Sequence, residues 1–165
     1  MPIRKITSRD LYAINTICMD SFMEAVAPSL EQEGIDTFEN VASVESLANR
    51  MEDDNTMLVF EEKGSVMGYA ELKEGRHVAM LFVSPIAQNA GIGKKLIAEL
   101  LTHAKSHEIT VSASLTSVAA YERFGFEKCG EIKKVAGLTF QPMNLYLSNM
   151  PSNTRKQTES ESTNS

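Results

Sequence analysis

The chain has 165 residues, of which 42% are hydrophobic and 23% are charged, proportions that are ordinary for a soluble globular protein. We expect one domain over residues 1–150 and a disordered polar tail over residues 151–165. The start lacks an apolar signal core and no apolar run is long enough to span a bilayer, so we expect a cytoplasmic protein without a membrane partner. No basic stripe carries interleaved aromatic residues, which argues against nucleic acid as a partner.

The first part of the chain predicts a short strand and two helices. A strand at residues 3–6 precedes a helix beginning at Thr7 or Ser8, because apolar residues at 11, 14, 15, 18 and 22 have helical spacing. Residues 25–38 lack a regular pattern and are expected to be irregular. Ser43 or Ser46 then offers an N-cap for the second helix.

The remainder predicts a sheet with one further amphipathic helix. Residues 77–83 are almost continuously apolar, which predicts a central strand covered on both faces. The helix that starts near residue 92 carries a broad apolar stripe and should pack on this sheet. The other predicted strands are residues 57–60, 66–72, 111–114, 126–133 and 138–147, the last with Pro142 at a bulge or an edge.

The glycine turn between that central strand and that helix is the most informative segment. Residues 88–94 read Gln-Asn-Ala-Gly-Ile-Gly-Lys, which would turn successive N–H groups toward one point at a helix N-terminus and hold an anion there. A Walker loop would need glycine at Gln88 and Ser or Thr after Lys94, and a dinucleotide fingerprint would need a small residue at Leu96. The pattern Gln-x-x-Gly-x-Gly therefore predicts a pyrophosphate cradle, the alternative being a plain tight turn.

A second block of sequence, residues 109–126, strengthens the interpretation of the glycine turn. Residues 109–114 predict a strand, residues 117–123 a short helix carrying Tyr121, and Gly125-Phe126 a restart of the sheet. Over about residues 1–147 the two blocks, with Val83-Ser-Pro85 between strand and turn, resemble the GNAT superfamily of N-acetyltransferases. The resemblance implies an α/β (α+β) fold whose mixed, mostly antiparallel sheet is splayed between strands 4 and 5 and flanked by helices. It also implies acetyl-CoA as co-substrate.

The resemblance assigns roles to individual residues. A main-chain N–H near Leu81 or Phe82 would face the acetyl oxygen, and Tyr121 matches the usual general acid. His77 stands where histone-type members carry a glutamate base, although many members use water chains instead. Tyr121 packed on the sheet and His77 bonded to a turn are the structural alternatives. The cofactor-binding residues would be Leu81, Phe82, Val83, Gln88, Asn89, Ala90, Gly91, Ile92, Gly93, Lys94, Ser114 and Ser117.

The charge is distributed unevenly along the chain. Residues 1–62 carry four basic and thirteen acidic side chains, a net charge of −9, and the remainder carries +3, which together give −6. In the family layout this acidic part would help to wall the acceptor site and would attract a cationic amine. The equal alternative is a solvated acidic surface. The carboxylates in question are Glu24, Glu31, Glu33, Asp36 and Glu39.

The expected function is transfer of an acetyl group from acetyl-CoA to a primary amine, on a small molecule or a peptide, by direct attack in a ternary complex. Cys18 and Cys129 have no metal-ligand spacing and no motif around them, so we expect structural thiols, no acetyl-enzyme and no metal. The alternative function is a non-catalytic acyl-CoA-binding sensor. A homodimer is expected. Because family members pair through several different surfaces, no interface is assigned to it.

Overall fold

The computed structural model describes residues 2–88 and 90–148. Its strands are β1 (Ile3–Lys5), β2 (Asn55–Glu62), β3 (Ser65–Lys73), β4 (His77–Val83), β5 (Glu108–Ser114), β6 (Glu127–Lys128), β7 (Lys133–Val135) and β8 (Leu138–Tyr146). Its helices are α1 (Leu11–Ala25), α2 (Gln32–Val41), α3 (Val44–Arg50), α4 (Ile92–Leu101) and α5 (Val118–Arg123). The predicted tail, residues 151–165, lies outside the described residues.

The strands form a single mixed sheet with a split at its centre. Its order is β1-β2-β3-β4-β5-β8-β6, with β7 also paired to β8, and within the described residues only β4 and β5 run parallel. These two strands pair at His77↔Thr110 and Val78↔Val111 and at no later position of the described chain. Beyond Val78 the two strands therefore part, and the expected splayed, mostly antiparallel fold is confirmed.

Helices cover both faces of β4, as its apolar sequence predicts. On one face Val78, Leu81 and Val83 join the core beneath α4. On the other face Met80 and Phe82 join the core beneath α1, α2 and α3. The β3–β4 pairing shifts register between Glu71 and Leu72, and this places Val78 on the same face as Leu81. From Met80 onward alternate residues point to opposite faces, so the apolar run contributes to both cores.

A buried charge cluster ties α3 to the sheet. The carboxylate of Glu71 in β3 is fully buried, and Arg50 of α3 donates to it from Nε at 2.7 Å. The Tyr69 hydroxyl donates to the same carboxylate at 2.6 Å, and Asn55 donates to it from its amide. Because burial and the neighbouring carboxylate both disfavour a phenolate, they raise the pKa of Tyr69.

Two parts of the fold differ from the prediction. Residues 32–38 of the segment 25–38, expected to be irregular, belong to α2; its N-cap residue Glu31 makes no side-chain cap, so local sequence signals its start poorly. Phe38 secures this helix by stacking on Phe22, with ring centroids 4.0 Å apart. The single strand expected at residues 126–133 is instead β6 and β7, because Gly130 between them has a φ of 104° and leaves the extended conformation.

Candidate active site

A cavity of about 1170 Å³ opens where β4 and β5 separate. One half lies between β4, the N-terminus of α4, the end of β5 and α5, and we call it the cofactor half. Its lining includes Leu81, Val83, Gln88, Gly91, Ile92, Gly93, Lys94, Ser114, Ser117, Tyr121, Arg123 and Phe124. The other half, the acceptor half, is walled by the end of α1, by α2 and by the β7–β8 hairpin.

The main chain of β4 supplies the wall that the two halves share. Ser84 donates its N–H to Met67 of β3, so by antiparallel alternation Phe82 also turns its main-chain groups toward β3. The N–H and C=O groups of Leu81 and Val83 then point away from β3, toward the gap. Of the two expected oxyanion donors, Leu81 therefore has its N–H on the side of the gap, whereas the N–H of Phe82 faces β3; both residues line the cavity.

The carbonyl of Val83 already has partners inside the protein. Ser21 of α1 donates its hydroxyl to this oxygen at 2.6 Å, and the Gln88 side-chain amide donates to it at 3.3 Å. These bonds fix the end of β4 against α1 and against the glycine turn. Ser21 is a site residue that sequence reasoning missed, since a serine in an apolar helix carries no distinguishing signal.

The N-terminus of α4 faces the cofactor half. Gly91 caps this helix with a φ of 77°, a conformation that glycine adopts without strain, and the first helical bond runs from the Lys95 N–H to the Gly91 carbonyl. The N–H groups of a first helical turn have no partner within the helix, so those of Ile92, Gly93 and Lys94 are available to an anion. Ala90 is exposed and is not part of the cavity lining, and Asn89 lies outside the described residues.

Gly93 leaves a space that the fold does not require. A Cβ built there would lie 3.7 Å from Val83 Cγ2 and 3.9 Å from Phe124 Cζ, ordinary contact distances. Both of those residues line the cavity, so the missing methyl group would project into it. Because residue 93 has no side chain, the turn leaves room here for a group as large as the diphosphate of coenzyme A.

The opposite wall carries hydroxyl groups and one cation. Ser114 donates to the Ser117 hydroxyl at 2.9 Å, and Ser117 donates to the Ser114 carbonyl at 2.9 Å. Both line the cavity, as does Arg123 at the end of α5. Within the described residues, Lys94 and Arg123 are the charged side chains of the lining, and both are exposed. The electrostatic character of the cofactor half is therefore positive, as polyphosphate binding requires.

Tyr121 stands in α5 with its ring held edge-on by two phenylalanines. The ring centroids of Phe124 and Phe126 lie 5.7 and 5.4 Å from that of Tyr121. The residue is 6% exposed and lines the cavity, and within the described residues its hydroxyl has no hydrogen-bond partner. Burial raises the pKa of Tyr121 above its ordinary value near 10, so the phenol stays protonated at neutral pH.

His77 lies at the closed end of the split and is not brought together with Tyr121 in the lining. Its Nδ1 shares a hydrogen bond of 2.7 Å with the Thr110 hydroxyl across the β4–β5 pair. Burial, then the positive charges of Arg76 and Lys73, lower the pKa of His77. The imidazole is therefore neutral at pH 7, and its predicted role as a base stays a prediction.

The acceptor half differs from the expected acidic pocket. Residues of the acidic segment do wall it, but they do so with the apolar side chains of Val26, Leu30 and Phe38. The five carboxylates singled out in the sequence are all exposed and none lines the cavity. The carboxylates are absent from the lining because the two sides of α2 differ: its apolar side packs on the sheet and its acidic side faces solvent.

Neither cysteine reaches the cavity. Cys18 is buried in α1, and burial raises the pKa of its thiol far above the ordinary range. Cys129 is half-buried and is not among the lining residues. Within residues 2–88 and 90–148, no three His, Cys, Asp or Glu side chains are grouped to hold a metal ion. In the same residues no helix has the length and apolarity to cross a membrane.

An open sheet split at its centre, a helix N-terminus at the mouth of the split and a phenol inside it agree with the fold and site that the sequence resemblance implies. The family model described as an acetyltransferase (GNAT) domain matches residues 26–147, well over half of the chain. The chain therefore belongs to the GNAT acetyltransferases and is an enzyme of that class.

Solved structures agree on the fold. A GCN5-related N-acetyltransferase from Rhodopseudomonas palustris superimposes with a TM-score of 0.76 at 20% identity, over 88% of this chain and 94% of that one. YncA from Salmonella typhimurium, solved with its cofactor acetyl-CoA, gives 0.68 at 24% identity, over 90% and 95%.

One curated relative shows a short local similarity. The peptidyl-lysine N-acetyltransferase YiaC of Escherichia coli is 46% identical over 39 residues, which cover 24% of this chain and 27% of that protein. The matched part is thus about a quarter of the relative's length.

Proposed function

We propose that this chain transfers the acetyl group of acetyl-CoA to a primary amine by direct attack in a ternary complex. The observation that carries the proposal is the split between β4 and β5, because one cavity there joins an anion-binding helix N-terminus to an open strand edge and a buried phenol. A cofactor diphosphate fits the N–H groups of Ile92, Gly93 and Lys94. An extended amide-bearing arm fits the N–H and C=O of Leu81 and the N–H of Val83, which face the gap.

Acetyl-CoA supplies a thioester, and the residues of the chain supply donors around it. The Leu81 N–H is suited to donate to the acetyl oxygen as negative charge develops there. The Tyr121 hydroxyl is suited to give its proton to the departing thiolate, since a phenol stays protonated until well above neutral pH. Water accepts the proton that the amine loses, and His77, outside the lining, is assigned no step.

Within the described residues, the positions of the two cysteines support the direct route. An acetyl-enzyme would need a thiolate or an activated hydroxyl at the acetyl carbon. Cys18 is buried with a raised pKa, and Cys129 is outside the lining. This supports a route in which substrate and co-substrate occupy the cavity together.

Release of free thiol from acetyl-CoA, followed with a thiol reagent over a panel of amines, tests the proposal. We expect acceptor-dependent release and initial-rate patterns that intersect, as a ternary complex requires. Parallel patterns would contradict the direct route. Tight binding of acetyl-CoA by calorimetry without release on any amine would instead indicate the non-catalytic sensor.

A further inference from the structure

The acceptor half of the cavity is apolar and aromatic. Phe22 and Phe38 are stacked with centroids 4.0 Å apart, and Phe38 meets Phe82 at 5.3 Å with a tilt of 59°. Leu138 and Phe140 of β8 form the facing wall. Within the described residues, no carboxylate lines this half. A second positive charge on an acceptor would therefore be desolvated here without a counter-ion, which is costly.

The acceptor half is also bridged on its outer side. α2 and the turn of the β7–β8 hairpin touch through their main chains, because Gly34 and Gly137 approach so closely that neither leaves room for a Cβ. The Thr37 hydroxyl donates to the Ala136 carbonyl at 2.7 Å across the same contact. A polypeptide cannot be laid across a groove closed in this way, so the geometry favours a small acceptor.

We propose that the acceptor is a small arylalkylamine, a primary amine on a short alkyl chain that ends in one aromatic ring. This inference rests on the proposed function and names the substrate class of the same site. The ring of the acceptor packs among Phe38, Phe82 and Phe140, and its amine is the only polar group that must reach the gap beside Leu81. Polyamines carry further charges that this lining does not accommodate, and a lysine peptide does not fit across the bridged groove.

The first test compares amines with the purified full chain. We expect kcat/KM for phenethylamine to exceed that for spermidine and for a lysine peptide by about ten- to hundredfold, the range that burial of one aromatic ring supports. Hexylamine and cadaverine form a matched pair, since they have equal length and differ in a terminal methyl or ammonium group. Hexylamine should be the better acceptor by at least about tenfold.

The second test adds the missing charge. Ala136 lines the acceptor half and has a φ of 51°, and with Gly137 it forms a two-residue hairpin turn with positive φ at both positions. Asn-Gly and Asp-Gly are favoured in such turns, so Ala136→Asp and Ala136→Asn should both fold at least as well as the parent. Ala136→Asp should improve cadaverine over hexylamine by about fivefold, and Ala136→Asn, of the same shape, should leave the ratio unchanged.

The outcomes separate the two proposals. Preference for phenethylamine, with a charge-dependent change only in Ala136→Asp, supports the arylalkylamine. Better turnover of spermidine, cadaverine or the lysine peptide by the parent leaves acetyl transfer standing and overturns the arylalkylamine. An absence of thiol release with every amine overturns both.

Discussion

Replacing Gly93 by alanine should separate stability from cofactor binding. A Cβ at this position makes only ordinary contacts, at 3.7 Å from Val83 and 3.9 Å from Phe124. Glycine inside a helix costs about 0.5–1 kcal/mol relative to alanine. We therefore expect Gly93→Ala to leave the free energy of unfolding unchanged or to raise it by up to about 1 kcal/mol, which is a rise of up to about 4 °C in Tm for a chain of this size.

The affinity for acetyl-CoA should fall in the Gly93→Ala protein. The added methyl group projects into the cavity in front of the first-turn N–H groups of α4, so a phosphate would have to move outward. Loss of one hydrogen bond to a charged group costs about 1.5–3 kcal/mol, which corresponds to about a 10- to 150-fold rise in Kd. Thermal unfolding of the free protein and calorimetric titration with acetyl-CoA give the two quantities separately.

Ala98 provides the matched control, because it is an exposed alanine of the same helix outside the cavity lining. Ala98→Gly removes one methyl group from α4 and should lower stability by about 1 kcal/mol without changing the Kd. A Gly93→Ala protein that binds acetyl-CoA as tightly as the parent would refute the cradle. A loss of stability above about 1 kcal/mol would show that packing, not the ligand, requires this glycine.

Three further changes test the remaining assignments. Tyr121→Phe should lower kcat by about 10²- to 10⁴-fold and change the Kd for acetyl-CoA less than about threefold; unchanged turnover would remove the phenol from the mechanism. Because the pKa of His77 is lowered in the fold, its contribution to stability is complete above about pH 6.5 and is lost as the pH falls toward the lowered pKa. In His77→Gln the urea midpoint of unfolding should therefore depend less on pH over that acidic range. If the low-pH limb of kcat/KM also disappears, the histidine is the base after all. Glu71→Gln should lower the free energy of unfolding by about 3 kcal/mol, since it leaves Arg50 facing a neutral group in a buried cluster, and a loss below about 1 kcal/mol in urea unfolding would contradict this.

The parts of the fold that were predictable are those with strong local signals. The apolar run of β4, the glycine turn after it and the stripe of α4 each carry a pattern of their own, and the structure contains all three. The short strand pairing that opens the gap was implied by the resemblance alone, since register between β4 and β5 depends on side chains distant in sequence.

The acceptor half could not be derived in this way. α2 begins at a residue without a side-chain cap and contains Gly34, so its stability comes from packing on Phe22 and from its contact with Gly137. Counting charges along residues 1–62 suggested a cationic acceptor, but a count does not record which face of a helix carries the charge. Only the folded arrangement shows that the carboxylates face solvent and that the phenylalanines face the cavity.

The split gives the molecule two internal sheet edges that face each other across the cleft. Exposed edges accept any extended chain that offers amide groups, and for that reason proteins usually cover them. In this fold the cofactor's arm would act as a removable strand, joining the half built on β1 to β4 to the half built on β5 to β8. Each catalytic cycle would then insert and withdraw a structural element, so the enzyme would be most rigid when loaded with cofactor and most easily unfolded after releasing it.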